Sequence, residues 1–413
     1  MDQLNAVFLN ILRSALKGEA YEGPADLTQE EWLRLMDLAQ SHHVLPMVFQ
    51  AAHALPGLRE SPIFPTVKQQ VRRQVILQAR KSCDFLALNQ QLRAAGIRPL
   101  VVKGIICREL YPYPDHRGSS DEDVLILESQ TGLCHSVLSD YGMETTEDPQ
   151  RFSQVYEIPY RKKDGPLYIE LHRHLFPPES EAYGDLNRFF EHAFDRAVTQ
   201  TIQGVEVSTL DPTDHLFYLI CHAFKHFLHS GFGMRQVCDI VLFANTWGSR
   251  IDWQAVLKNC KTIRADRFAA AIFRIGEKDL VFDPEKACYP PQWQAIGVDE
   301  GPMLEDLLSG GLYGDSSMSR KHSSSITLDA VTSQKRGKKA GNAVLLSLFP
   351  SAKKLESQYP YLKERPYLLP AAWAARIQKY HRESKHAPTD RASQALKIGS
   401  QRTALLKEYG IIE

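Results

Sequence analysis

The chain has 413 residues, 43% of them hydrophobic, and its 49 lysines and arginines match its 49 aspartates and glutamates. That length suits two or three domains of about 150 residues each, and a formal net charge of zero provides no global field for nucleic acid or an anionic membrane. The seven cysteines (Cys83, Cys107, Cys134, Cys221, Cys238, Cys260, Cys288) are odd in number with no CxxC or zinc-like spacing, which reads as reduced thiols in a cytosol.

The opening stretch MDQLNAVFLNILRSALKGEA carries no basic n-region, and its apolar residues recur at helical spacing instead of forming one run. A soluble cytoplasmic protein without signal peptide or membrane span is expected. Residues 1–95 read as an N-terminal helical domain, in which Thr28 followed by Glu31 forms a capping-box pattern. Residues 96–210 change rhythm: IRPLVVKG and DVLIL are short β-rich runs, LCHSVLSDYGM is a helix ending near Gly142, and QVYEIPYRKKDGPLYIELHRHLF is a hairpin turning at Asp164-Gly165. Together they imply an α+β fold with a small mixed sheet. From 211 to 308 helical patterns return, 309–341 is a flexible Gly/Ser-rich basic connector by composition, and 342–413 is a C-terminal helical extension.

Within KGIICRELYPYPDHRGSSDEDVLIL, two aspartates one residue apart open an otherwise apolar strand. Residues i and i+2 of a strand project from one face, so Asp121 and Asp123 can converge on one centre. Adjacent carboxylates repel each other and are costly to bury, and a divalent cation is the usual compensation. In LYIELHRH the alternation puts Ile169 and Leu171 on one face and Glu170 and His172 on the other, which makes Glu170 a third acid. Asp121, Asp123 and Glu170 form an all-oxygen set of the kind Mg²⁺ accepts, completed by water and nucleotide phosphates. The competing reading is three ordinary acids on a half-solvated sheet. Upstream, Lys103 offers a point charge and Gly104 a close backbone approach to phosphate at a helix start. Arg117, Ser119 and Ser120 suit a turn that steadies a polyphosphate.

In this order the elements LVVKG, RELYPYPDHRGSSDEDVLIL and YIELH resemble the bacterial uncharacterised nucleotidyltransferases of the polymerase-β-like nucleotidyltransferase superfamily. The resemblance continues through SHHVLPMVFQAA, HAFKHFLHSGFGMRQVCDIVLF and YPYL…RPYLLPAAWAAR, and so covers most of the chain. Glu122 departs from it, since an apolar residue usually separates the two aspartates, and on alternation alone Glu122 points to the other face of the sheet. The resemblance implies that Asp121 and Asp123 bind Mg²⁺ (or Mn²⁺) carrying an NTP such as ATP. Glu170 then completes a metal position or acts as base, and Lys103 and Arg117 hold the departing pyrophosphate. The acceptor is open, and the balanced net charge favours a small molecule, peptide or protein over a long nucleic acid.

HAFKHFLH places His222, Lys225, His226 and His229 on one helix face. Three readings stand: a zinc site without the Glu of HExxH, a basic face with Lys225 and His226 closing over the triphosphate, and plain packing. Arg235 and Asp239, four residues apart, read as a local ion pair. Two functional alternatives remain beside nucleotidyl transfer: a non-catalytic nucleotide sensor or scaffold of the same fold, and transfer of the γ-phosphate.

Overall fold

Seven short strands make one mixed sheet in the order β3-β4-β5-β2-β1-β7-β6. They are β1 (Leu100–Val101), β2 (Glu122–Leu125), β3 (Met143–Glu144), β4 (Glu157–Lys162), β5 (Tyr168–His172), β6 (Val198–Ile202) and β7 (Val205–Thr209). This computed structural model describes residues 2–229, 231–310, 318–337, 352–355, 359–384 and 392–413. The α+β class expected from the sequence is the class observed. Two parallel pairs, β2 with β5 and β1 with β7, are joined through the antiparallel pair β1–β2. The β4–β5 hairpin turns through residues 163–167, which contain the Asp164-Gly165 pair expected at the turn, though neither residue adopts the positive φ of a two-residue Asp-Gly turn.

Alternation along these strands decides which side chains are buried in the core. Val124, Ile126, Ile158, Tyr160, Ile169 and Leu171 pack together with Phe85, Leu86, Leu88 and Leu92 of the long helix Phe64–Ala94 and with Cys134 and Leu138 of helix Thr131–Asp140. Burying one such aliphatic or aromatic side chain contributes about 1.5–3 kcal/mol. This layer therefore fixes the register of β2 and β5, and with it whatever their other face carries.

By its internal contacts the chain divides into two units, Met1–Ala223 with Phe232–Leu312, and Phe224–Gly231 with Tyr313–Glu413. In the first, helix Gln29–Ser41 begins with the capping box read from the sequence: Thr28 accepts from the Glu31 N–H and Glu31 accepts from the Thr28 N–H. Helices Met234–Trp247, Trp253–Thr262 and Asp266–Asp279 follow the sheet. An aromatic cluster of Trp253, Phe273, Phe282, Tyr289 and Trp293 lies there, and each indole N–H donates to a backbone carbonyl, Trp253 to Ala287 and Trp293 to Trp253.

In the second unit, Met318–Lys335 is a helix, where composition pointed to a flexible connector. Ile326, Ala330 and Val331 recur at helical spacing and are buried, as are Leu406 and Tyr409 at the end of helix Ala392–Glu408 and beyond it. Thr327 Oγ1 donates to the Leu228 carbonyl at 2.6 Å. A few well-placed apolar residues outweigh a serine- and lysine-rich average. Of the expected connector, residues 311–317 and 338–341 lie outside the described residues. Among the described residues no helix is long and apolar enough to cross a membrane.

Two buried histidines of the first unit, His42 and His215, are brought down to about 4 by burial, which for His215 outweighs the opposing pull of Asp211 and Asp239. The unfolded chain titrates its histidines near about 6.5, so on acidification the unfolded state takes up protons first. Their contribution to stability is complete above about 6.5, is lost as pH falls towards 4, and amounts to on the order of 3 kcal/mol each. Urea unfolding across this range should show a falling midpoint, with a shallower fall in His42→Gln. An identical pH dependence in the variant would refute this assignment for His42.

Candidate active site

The site grows from three strand ends at one edge of the sheet. β1 runs antiparallel to β2 with Val101 opposite Val124, and Val102 extends the ladder by donating its N–H to the Asp123 carbonyl at 3.2 Å. The next residue is Lys103, so the register delivers its side chain to the start of β2. Its Nζ lies 2.8 Å from Asp123 Oδ2, 4.0 Å from Asp121 Oδ2 and 3.3 Å from His222 Nε2. On the other side, parallel pairing sets Asp123 directly beside Glu170. His172 Nε2 is 3.2 Å from Asp123 Oδ1 and 3.8 Å from Glu170 Oε2.

Asp123, Glu170 and His172 each bring one donor atom within 4.8 Å of the others. The tight group is thus not the three acids read from the sequence. His172 belongs to it, while Asp121, just ahead of β2, is joined to Asp123 through Lys103. Alternation had already put His172 on the face of Glu170, and that was the available signal for it.

Charge in this cluster is strongly coupled to burial. Burial alone would raise the Asp123 carboxyl, but the Lys103 charge and the His172 hydrogen bond hold it well below the usual carboxylate range. Glu170 has no such ally: burial, then the Asp123 and Asp121 charges, push it up to about 7. Burial works against the charged form of Lys103, yet Asp121 and Asp123 keep its pKa well above the ordinary lysine value. His172 is likewise opposed by burial and raised by Asp123. Asp123 Oδ2 is buried and makes no hydrogen bond of good geometry, although Lys103 is close. Two carboxylates and an imidazole converging on such an atom fit a divalent cation.

Glu122 does not disturb this arrangement, and its burial needs no second sheet face open to water. It is 1% exposed, its Oε1 accepts from Arg108 Nη2 at 2.6 Å and its Oε2 accepts from the Ile105 N–H at 2.8 Å. The carboxylate thus caps the short helix Gly104–Arg108 where the sequence suggested a phosphate. Gly104 has φ +48°, and a Cβ there would stand 1.9 Å from Glu122 Oε2. This glycine makes room for an internal carboxylate.

The loop before the acids is also committed internally. Ser119 Oγ accepts from Arg108 Nη1 at 2.7 Å and its N–H donates to Gln78 Oε1 at 2.9 Å. Ser120 is exposed and its Oγ donates to Asp121 Oδ1 at 3.1 Å. Arg117, expected at the pyrophosphate, is 1% exposed and grips Asp239 with two arms, Nε to Oδ1 at 2.8 Å and Nη2 to Oδ2 at 2.6 Å. Tyr111 donates to the same Asp239 at 2.7 Å. Asp239 therefore pairs with Arg117 and not with Arg235, whose Nη1 donates to the Gly118 carbonyl at 2.5 Å. Lys225 and His226 fall in the second unit, outside the unit that holds the acids.

Three further side chains feel the charge of Asp121: Lys81 and His43, which sequence reading did not single out, and Arg235, which it assigned to Asp239. Lys81, on the long helix, donates to the Ser119 carbonyl at 2.8 Å, and its pKa is lowered by burial against the pull of Glu122 and Asp121. Burial and the Arg235 charge bring His43 down to about 4, against Asp121. Arg235 is lowered by burial and by Arg117, and its Nε is buried without a hydrogen-bond partner.

A sequence-family profile described as "Uncharacterised nucleotidyltransferase" matches residues 28–278, more than half of the chain. A solved structure of an antigenic nucleotidyltransferase-like protein from Paracoccidioides brasiliensis aligns with 48% of this chain and 93% of its own at 16% identity. Its TM-score of 0.28 is too low to establish a shared fold. No curated protein matches the sequence.

Gly104→Ala should be destabilising by about 2 kcal/mol or more, since it combines a left-handed backbone with a clash against a buried carboxylate. Gly96, at φ +81° with nothing within 4 Å of its position, isolates the backbone part. Gly96→Ala should cost about 1 kcal/mol, and equal losses in urea unfolding would remove the role given to Glu122.

Proposed function

Because the chain belongs to the uncharacterised nucleotidyltransferase family, we propose that it moves a nucleoside monophosphate from a nucleoside triphosphate to an acceptor and releases pyrophosphate. The observation that carries the reading is the direct pairing of Asp123 with Glu170 on neighbouring parallel strands, with Lys103 Nζ 2.8 Å from Asp123. Asp121, Asp123 and Glu170 would hold a divalent metal, Mg²⁺ or Mn²⁺. When bound, such a metal offsets the charge of the triphosphate and of the oxygens between which the phosphoryl group passes.

The rest of the chemistry falls to the side chains. The acceptor hydroxyl oxygen bonds to the α-phosphorus, the bond from that phosphorus to the bridging oxygen breaks, and pyrophosphate carries the electron pair away. The hydroxyl proton needs a base. Glu170, pushed up to about 7, is matched to accepting it near neutral pH. Lys103 is kept charged by the two aspartates and supplies a cation for phosphate oxygens. Arg235 and Lys81 add positive charge beside Asp121, which supports a triphosphate on that side. Ser120, exposed next to Asp121, is the one loop hydroxyl left for it. A hydroxyl on a small molecule, a peptide or a protein is the acceptor this reading takes, in line with the balanced net charge.

Incubation with Mg²⁺ or Mn²⁺ and each labelled nucleoside triphosphate, alone and with a metabolite extract, should yield pyrophosphate and a labelled acceptor. Asp123→Ala should lower the rate by a factor on the order of 10²–10³ or more. Nucleoside diphosphate as the product would replace this reading by γ-phosphate transfer, and tight nucleotide binding without turnover across the acceptor panel would replace it by a sensor or scaffold.

A further inference from the structure

We infer that His172 is a metal ligand through Nε2, making a mixed Asp123, Glu170 and His172 site that takes a first-row transition-metal dication such as Mn²⁺ in preference to Mg²⁺. The inference rests on the proposed metal at this edge of the sheet and specifies its ligands. Nε2 lies 3.2 Å from Asp123 Oδ1 and 3.8 Å from Glu170 Oε2, closer to both acids than a bystander imidazole on a polar face needs to be. The three donors fall within 4.8 Å of one another, and two of the three residues are buried. Asp123 Oδ2 is buried and faces Lys103 Nζ at 2.8 Å, a cation in the position that a bound metal would take over.

A second carboxylate stands behind the ring. β4 pairs with β5 so that Glu157 is opposite His172, and Glu157 Oε2 is 3.8 Å from Nδ1. Nδ1 is buried and has no hydrogen-bond partner in this state. Metal-binding histidines commonly donate their second ring N–H to a carboxylate, which fixes the tautomer and turns the other nitrogen to the metal. Glu157 is placed to be that positioning residue. The donor set decides the metal class: carboxylate oxygens alone suit Mg²⁺, whereas an added imidazole favours softer first-row dications.

Pulsed electron paramagnetic resonance of the full chain loaded with Mn²⁺ reads this without any turnover. Wild type should show hyperfine coupling of the Mn²⁺ spin to a directly bound imidazole nitrogen. That coupling should vanish in His172→Gln, which retains an amide donor for Asp123, and persist in His222→Gln, which alters the other imidazole near Lys103. Glu157→Gln should weaken Mn²⁺ binding about 10- to 100-fold. Bound Mn²⁺ without nitrogen coupling in the wild type would overturn the inference and leave the metal site standing. Coupling that survives in His172→Gln would overturn it in the same way, and no Mn²⁺ binding at all would remove both the inference and the reading beneath it.

Discussion

A buried aspartate needs a positive charge beside it, and the site is organised around that requirement. Asp123 is 2% exposed at the start of a core strand, with Glu170 paired beside it on the next strand. Leaving such a carboxylate ionised and alone would cost several kcal/mol. Lys103 supplies the charge from the end of β1, and His172 supplies a hydrogen bond from β5. Both are delivered by sheet register, which the apolar side chains on the opposite face hold in place.

Lys103 can only stand there if the chain turns sharply after it, and the next two residues show how. Gly104 adopts a left-handed conformation and leaves space for Glu122, which caps the Ile105 amide and pairs with Arg108. The same Arg108 holds Ser119, and Lys81 holds the carbonyls of Ser119 and Ser120. Further along, Arg117 is anchored by Asp239 and Tyr111. The Lys-Gly to Asp-x-Asp block is thus braced as one piece by the Arg108–Glu122 and Arg117–Asp239 pairs. Of the site's charges, Asp121 and Glu170 are partly exposed, while Asp123 and Lys103 are buried behind them.

The acids were legible in the sequence because strand alternation has a fixed period. Ile169 and Leu171 announce a buried face, so Glu170 and His172 had to share the other. The capping box at Thr28 and Glu31 and the Asp164-Gly165 turn were legible for the same local reason. Partner choice among buried charges is not local, and there the sequence misled: Asp239 lies four residues from Arg235 but bonds to Arg117, more than a hundred residues away in the chain. Glu122 lies opposite Ile169 and so faces away from Asp123, as alternation implies, but its helix-capping role depends on the geometry of the turn after β1 and could not be read from alternation. Lys81 sits on the long helix and His43 in the turn after helix Gln29–Ser41, and neither local pattern says anything about an acid elsewhere. The helix Met318–Lys335 was hidden behind a serine-rich composition that averages over its buried face.

The central claim is that these strand ends form a metal and triphosphate site in which Lys103 stands against the acids until a cation arrives. A crystal structure of the chain with a nonhydrolysable nucleoside triphosphate and Mn²⁺ addresses it most directly. The account predicts a metal ion bonded to Asp123 and Glu170, the triphosphate beside Asp121, and Lys103 Nζ turned from Asp123 to a phosphate oxygen. A bound nucleotide with its metal away from these acids, or Lys103 still paired with Asp123 in the complex, would contradict it.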